Sequence, residues 1–271
     1  MTTLDLSSVL ARRPLGLVFD LDGTLSLMPS TPDYGCLWPG VAEDLERAKQ
    51  YAHVAILSGR EVQGSAGVVK IAGLTYIGVH GLEWCSDLPT IQTPYLLPEA
   101  QPYAEPGAQL FALLEQHLAD FPGVRLQPKS IGGSVFYGQT AEPEETRARL
   151  LALLEEPAQR LGMRIDETRL IIEILAPLAI DKGVALRRYV QQLGLQAVCF
   201  AGDDRNDLAA VLEIERLRQE GLAACSIVVR HANTPPALLE HGDVVVDDIA
   251  GMAAQLHEMV EILEKQAVRV P

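Results

Sequence analysis

Leu17-Val18-Phe19-Asp20-Leu21-Asp22-Gly23-Thr24 puts two carboxylates two positions apart directly after an apolar run, where the chain is set to turn. In a strand, residues i and i+2 face the same side. Asp20 and Asp22 therefore repel in the low dielectric of a sheet end unless a cation or a bound substrate neutralises them. Gly23 and Thr24 then offer a tight turn with free backbone N–H groups, which is the makings of a phosphate cradle. A solvated turn in which Asp and Gly do ordinary turn chemistry uses the same residues. What separates the two readings lies further along the chain.

Outward from this stretch, strand and helix patterns alternate. Leu15 to Phe19 reads as a strand, and Pro39-Gly40 introduces a helix from Val41 to about Tyr51 with Val41, Leu45 and Ala48 at helical spacing. Strands follow at Val54 to Leu57 and Thr75 to Val79, separated by a short helix through Val62 to Ile71. Further on come a helix at Lys182 to Leu193, strands near Ala197 to Ala201, Ser226 to Val229 and Val244 to Val246, and an amphipathic helix from about Ala250 to Gln266. This order predicts an α/β fold, a Rossmann-like doubly wound parallel sheet with helices on both faces. Ligands bind such sheets beyond the carboxyl ends of the strands.

The pattern changes between roughly Pro94 and Pro177. Pro94, Pro98, Pro102 and Pro106 mark a linker, after which Gln109 to Leu118 reads as a helix. Arg125 to Gln127 and Gly133 to Tyr137 read as a strand pair, Glu144 to Leu161 as a helix broken or ended near Pro157, and Leu170 to Leu175 as a last strand. The expected organisation is a core of residues 1–93 and 178–271 interrupted by an inserted α+β cap domain of residues 94–177. An insert at such a place can act as a cap that shields a bound group from bulk water.

Composition narrows the partners. The chain has 271 residues, 48% of them hydrophobic and 21% charged, which suits a globular protein with a large core. Its formal net charge of −14 argues against a nucleic-acid partner, since binding a polyanion requires a basic surface that releases counterions. Cys36, Cys85, Cys199 and Cys225 lack C-x-x-C spacing and suggest neither a zinc site nor a disulfide framework. Met1 to Pro14 carries no sustained apolar run, and no stretch approaches the roughly 20 apolar residues of a membrane helix. The default expectation is a soluble cytoplasmic protein without a membrane partner; the sequence is silent on oligomeric state.

Asp20-Leu21-Asp22-Gly23-Thr24 resembles the first motif of the haloacid dehalogenase superfamily of phosphotransferases, and three further segments resemble its other motifs in the correct order. They are Ser58-Gly59-Arg60 after a strand, Asp181-Lys182-Gly183 opening a helix, and Gly202-Asp203-Asp204-Arg205-Asn206-Asp207 after a strand. Each motif is weak alone, and four in order are specific. Ser58-Gly59-Arg60 followed by Val79-His80-Gly81-Leu82-Glu83 is similar to the trehalose-6-phosphate phosphatase family, as are the Pro39 helix entry and the late Asp248-Ile249-Ala250-Gly251 segment. The insert departs from that family. Lys129 matches a Glu-x-Lys segment, but Phe136-Tyr137-Gly138 stands where the family has His-Tyr-Arg. No basic residue follows Glu173, and Asn206 replaces the usual Thr.

The resemblance implies a Mg²⁺-dependent hydrolysis of a small-molecule sugar phosphate, with trehalose 6-phosphate favoured. The alternatives are another sugar phosphate, of the sucrose or mannosylglycerate type, and a sensor that binds without turnover. Asp20 is implied as the nucleophile that forms an aspartyl-phosphate, and Asp22 as the general acid and then base. Ser58 and Lys182 are implied to hold the phosphoryl oxygens. The implied metal ligands are the Asp20 carboxylate, the Asp22 backbone carbonyl and Asp203; Asp207 is implied either to support the metal shell through water or to orient Lys182, and Asp204 either to support that shell or to be a solvated neighbour. Gly23, Thr24, Gly59, Arg60 and His80 are expected around the phosphate, and Lys129, Ser134, Tyr137 and Glu173 around the sugar.

Overall fold

The computed structural model describes residues 6–27, 35–168 and 170–268. The chain divides into two compact units, one running to Tyr95 and resuming at Ile180, the other Leu96–Ala179. In chain order the elements are α1 (Leu6–Leu10), β1 (Leu15–Phe19), α2 (Val41–Ala48), β2 (His53–Leu57), α3 (Val62–Val69), β3 (Thr75–Gly78), β4 (Glu83–Cys85) and β5 (Tyr95–Leu96). The smaller unit holds α4 (Ala104–His117), β6 (Arg125–Pro128), β7 (Gly133–Phe136), α5 (Pro143–Leu161), β8 (Arg164–Thr168) and β9 (Ile171–Leu175). The larger one then continues with α6 (Lys182–Leu193), β10 (Ala197–Gly202), α7 (Leu208–Gln219), β11 (Ala223–Arg230), α8 (Pro236–His241), β12 (Val244–Asp247) and α9 (Asp248–Ala267).

The large sheet runs β12-β11-β10-β1-β2-β3-β4-β5. Every pairing from β12 to β3 is parallel, and β4 lies antiparallel to β3. All five residues of β1 are buried, as expected of a central parallel strand covered on both faces. Leu15, Leu17 and Phe19 enter one core with residues of α1, α2, α3 and α9. The opposite face meets α6: a Cβ on Gly16 would stand 3.6 Å from the Tyr189 ring, and α7 packs on β10 and β11. Each fully buried Leu or Phe here contributes roughly 1.5–3 kcal/mol. The sheet is thus doubly wound, mostly parallel, with an antiparallel edge. Among the described residues no helix is long and apolar enough to cross a membrane.

The smaller unit is a four-stranded antiparallel sheet, β6-β7-β9-β8, with two helices. Ile172 and Ile174 are fully buried, and a Cβ on Gly133, which pairs with Ile174, would meet Phe111 of α4, so that face lies under the helices. By strand alternation Glu173 points the other way. The register sets Gln127, Ser134, Glu173 and Asp166 side by side in one polar row across the four strands of that second face.

Two helices depart from expectation at prolines. α5 runs unbroken through Pro157, where a break or end was expected, because Leu150, Leu154 and Ala158 bury one continuous stripe that offsets the lost N–H and ring clash. α4 starts at Ala104, ahead of the expected Gln109, since Pro106 falls in the first turn, where no intrahelical N–H bond is required. The strand expected to reach Val79 stops at Gly78, as Val79 and His80 both turn left-handed at φ 47° and 56°.

Candidate active site

Asp20 follows β1 by one residue and Asp203 follows β10 by one, so the two carboxylates leave neighbouring parallel strands side by side. The chain steps from β1 through β2 to β3 on one side and from β10 through β11 to β12 on the other. The crevice at that reversal is where doubly wound sheets bind ligands. α6 delivers the third group. Its N-cap Asp181 accepts the Val184 N–H at 2.9 Å, which fixes the first turn and with it Lys182.

Lys182 Nζ donates to Asp20 Oδ1 at 2.6 Å and to Asp207 Oδ1 at 2.7 Å. Asp207 Oδ2 accepts the backbone N–H groups of Asp203 and Asp204, both at 3.0 Å. Lys182 is 3% exposed, Asp20 6%, Asp203 4% and Asp207 0%. Three buried carboxylates thus share one ammonium. Burial, reinforced by Asp207 and opposed by Lys182, pushes the Asp20 carboxyl up to about 7. Burial, with Asp20 and Asp207 beside it, pushes Asp203 up to about 9. Burial alone would lower Lys182, but Asp20 and Asp207 outweigh it and raise its pKa. The cluster is short of positive charge.

The turn after β1 closes on Asp203. Thr24 Oγ1 donates to Asp203 Oδ1 at 2.9 Å, and Gly23 sits at φ 86° with its α-carbon against the Asp203 carboxylate, in space a Cβ would occupy. Only glycine satisfies both demands. The Gly23 N–H donates to Ser26 O at 2.9 Å, which turns the Asp22 carbonyl to the opposite side of that trans peptide. Arg60 grips the Asp22 carboxylate through Nε at 2.5 Å and a terminal nitrogen at 2.8 Å, a bidentate pair.

Ser58 is 2% exposed at the end of β2, and its Oγ accepts the Arg60 N–H at 3.2 Å. The segment from Gly78 to Glu83 braces this loop. Val79 N donates to Arg60 O at 2.8 Å and His80 N to Ser58 O at 3.0 Å, while Glu83 Oε2 accepts the Val62 N–H at 2.8 Å and holds the start of α3. A Cβ on Gly59 would come 2.6 Å from the His80 ring, and one on Gly81 2.6 Å from the Ala185 Cβ. The His80 ring therefore lies close against Gly59, and two consecutive left-handed residues are kept in place by these bonds.

Asp20, Asp203 and Asp207 offer oxygens within 4.8 Å of one another, a set that could hold a metal ion. Both Asp207 oxygens are already engaged by Lys182 and backbone N–H groups, which leaves Asp20 and Asp203 as the carboxylates fit to ligate. An all-oxygen donor set carrying excess negative charge suits a hard divalent ion such as Mg²⁺. Asp204 is exposed and caps the turn Arg205–Asp207 through a capping box with Asp207.

The larger unit thus brings together Asp20, Asp22, Gly23, Thr24, Ser58, Gly59, Arg60, His80, Lys182, Asp203 and Asp207. Lys129 and Glu173 belong to the smaller unit, where Lys129 Nζ lies 3.3 Å from Glu173 Oε2 and Ser134 Oγ reaches both Glu173 oxygens at 2.9 and 3.0 Å. Tyr137 is not with them. The charges acting on its buried hydroxyl are Glu167, Arg147 and Glu144, on α5 and β8. Sequence reasoning missed His231, just past β11, whose Nε2 stands 2.6 Å from the Gly23 carbonyl oxygen. The available signal was its position at the carboxyl end of a parallel strand. Gln127 and Asp166 in the polar row were also missed: Asp166 lies on β8, a strand the sequence did not reveal, and Gln127 joins the row only through the register of β6 on β7.

The sequence model described as Trehalose-phosphatase matches residues 18–237 of the chain. A trehalose-phosphate phosphatase of Mycobacterium leprae is 29% identical over 241 residues, covering 85% of this chain and 54% of the relative. The chain therefore spans about half the length of that relative. Among solved structures, one titled a trehalose-6-phosphate phosphatase related protein superposes with a TM-score of 0.77 at 20% identity, covering 93% of this chain and 99% of the other. The C-terminal domain of the Candida albicans trehalose-6-phosphate phosphatase gives 0.74 at 12% identity, covering 96% and 98%. These likenesses show a shared fold. With the family match extending over most of the sequence, the chain belongs to the trehalose-phosphatase family.

Proposed function

We propose that the protein is a Mg²⁺-dependent phosphatase that hydrolyses a sugar phosphate through an aspartyl-phosphate on Asp20, with trehalose 6-phosphate as substrate. The observation that carries this reading is the buried cluster in which Lys182 bridges Asp20 and Asp207 beside Asp203, with one Asp20 oxygen engaged by Lys182. The other Asp20 oxygen is the attacking atom. It forms a bond to phosphorus as the bond from phosphorus to the sugar oxygen breaks, and Asp22 gives its proton to the departing oxygen. Asp22 then takes a proton from water, whose oxygen displaces Asp20 from phosphorus and releases phosphate.

Lys182 and Ser58 hold the equatorial phosphoryl oxygens, with the backbone N–H groups around Gly23 and Gly59. A carboxyl group carrying a proton cannot accept both Arg60 bonds, so the pair between Arg60 and Asp22 opens as the incoming phosphoryl group competes for the guanidinium. Asp20, Asp203 and the Asp22 carbonyl would hold Mg²⁺, which when bound offsets charge on the phosphoryl oxygens.

The smaller unit supplies sugar recognition through the row Gln127, Ser134, Glu173 and Asp166 with Lys129. Vicinal donors and acceptors on one sheet face suit a polyol, and a site that hydrogen-bonds a hydroxyl rejects analogues lacking it. The naming of the mycobacterial relative supports trehalose 6-phosphate. A phosphate-release screen over sugar phosphates, with Mg²⁺ and with chelator, tests the reading. Trehalose 6-phosphate is expected to give the highest kcat/KM. A preference for a sucrose-type or other sugar phosphate would move the substrate, and release from none would sink the enzymatic reading.

A further inference from the structure

His231 lies outside every motif considered above, and its contacts are with the catalytic turn. β11 ends at Arg230, and the chain then makes a locked turn. His231 N donates to Thr234 Oγ1 at 2.8 Å, Thr234 Oγ1 donates to Val229 O at 3.1 Å, and Thr234 N donates to His231 O at 3.3 Å. From this base the imidazole reaches across to the turn after β1. Its Nε2 sits 2.6 Å from the Gly23 carbonyl oxygen and 3.9 Å from Asp203 Oδ2. A carbonyl oxygen only accepts, so Nε2 carries the hydrogen and donates it.

Gly23 needs such a partner. It has no side chain to wedge, it occupies φ 86°, and glycine is the residue least confined by its own sterics. Its conformation is therefore fixed from outside: Ser26 O accepts its N–H, Thr24 Oγ1 ties the next residue to Asp203, and its carbonyl accepts from His231 Nε2. The peptide groups so held lie on either side of Gly23, and the first of them contains the Asp22 carbonyl, which has work in the proposed reaction.

We propose that His231 is a positioning residue that holds the Asp22-Gly23-Thr24 turn in register with Asp203 by donating its Nε2 hydrogen to the Gly23 carbonyl. The assignment of a reaction to that turn rests on the phosphatase reading; the hydrogen bond and its effect on the turn do not. Misplacing a reacting group by about 1 Å costs up to ~10²-fold in rate.

The test compares His231→Phe, which keeps a ring and loses the donor, with His231→Gln, which keeps a donor at similar reach and loses the ring. The Phe variant is expected to lose about ten- to a hundredfold in kcat with KM within about twofold, and the Gln variant to recover most of the loss. Equal losses in both, or no loss in Phe, would overturn the proposal. Thermal unfolding of each purified variant over a Mg²⁺ titration supplies a readout independent of turnover. The Mg²⁺ concentration for half-maximal stabilisation should rise severalfold in Phe and return towards the wild-type value in Gln. Identical titrations in all three proteins would overturn the proposal even if the wild-type protein released no phosphate, an outcome that would count separately against the phosphatase reading.

Discussion

Asp207 organises more of the site than any other carboxylate. One oxygen orients Lys182 and the other gathers the N–H groups of Asp203 and Asp204, so this fully buried side chain fixes both the ammonium and the backbone that carries Asp203. Removing it leaves the buried Asp203 N–H without that acceptor and Lys182 with Asp20 alone. Asp207→Ala should cost about 3–5 kcal/mol in denaturant unfolding, whereas Asp204→Ala, which removes only an exposed cap, should cost about 1 kcal/mol. Equal effects would mean that Asp207 is not the organiser. For chemistry the weight shifts to the nucleophile and the acid. Asp20→Asn should abolish phosphate release, because an amide neither attacks phosphorus well nor ligates a hard cation. Asp22→Asn should lower kcat by ~10²–10⁴-fold. Near-wild-type turnover by either variant would remove that residue from its role.

At the scale of elements, much of the larger unit was legible. Each of its motifs follows a short, wholly apolar strand or opens a capped helix, and both signals are local. Asp20 and Asp203 could be expected together because parallel neighbours end on the same side. The brace from Gly78 to Glu83 could be read only as a similarity, since its function lies in contacts that periodicity does not record: Gly78 beside Arg60 and Val62, Gly81 beside Ala185, Glu83 on the α3 N–H. Burial raises the Glu83 carboxyl pKa, so an uncharged acceptor should serve there. Glu83→Gln should keep stability and activity close to wild type. Glu83→Ala should lower both, because the Val62 N–H is then buried without a partner at a cost of roughly 1–3 kcal/mol. A Gln variant as damaged as Ala would show that the charge matters. The smaller unit was harder to read. β8 lacks a clear apolar alternation, and without its register Asp166 could not be placed beside Glu173. Tyr137 was grouped with Ser134 by residue type, but the sheet separates them.

For the whole molecule, the excess of buried carboxylate ties stability to pH and to metal. Asp203 is held protonated up to about 9 and Asp20 up to about 7, both far above the ordinary carboxylate range. A raised carboxyl pKa contributes stability that is fully present below the unfolded value and lost as pH rises through the folded one. Metal-free protein should therefore lose stability from about pH 4 towards pH 9. Mg²⁺ needs those carboxylates ionised, so the rise in Tm it produces should grow from pH 6 to pH 9. A Mg²⁺ effect that shrinks with pH would contradict the cluster as its site. In the proposed reading, specificity belongs to the other unit. Glu173→Ala should lower kcat/KM for trehalose 6-phosphate at least tenfold more, by order of magnitude, than for a small phosphate ester, because only the sugar leaves a buried group unpaired. Equal losses would make Glu173 a structural residue.

The central claim is that Asp20 carries the phosphoryl group during turnover. Acid-quenching the Asp22→Asn variant soon after mixing with 4-nitrophenyl phosphate and Mg²⁺, followed by peptide mass mapping, tests it most directly, since that leaving group departs without the acid while loss of the base slows the second step and lets the intermediate accumulate. The account predicts one phosphoryl group on the peptide containing Asp20, absent with chelator and absent when Asp20→Asn is added. Phosphate release under the same conditions with that peptide unmodified at every time point would contradict it.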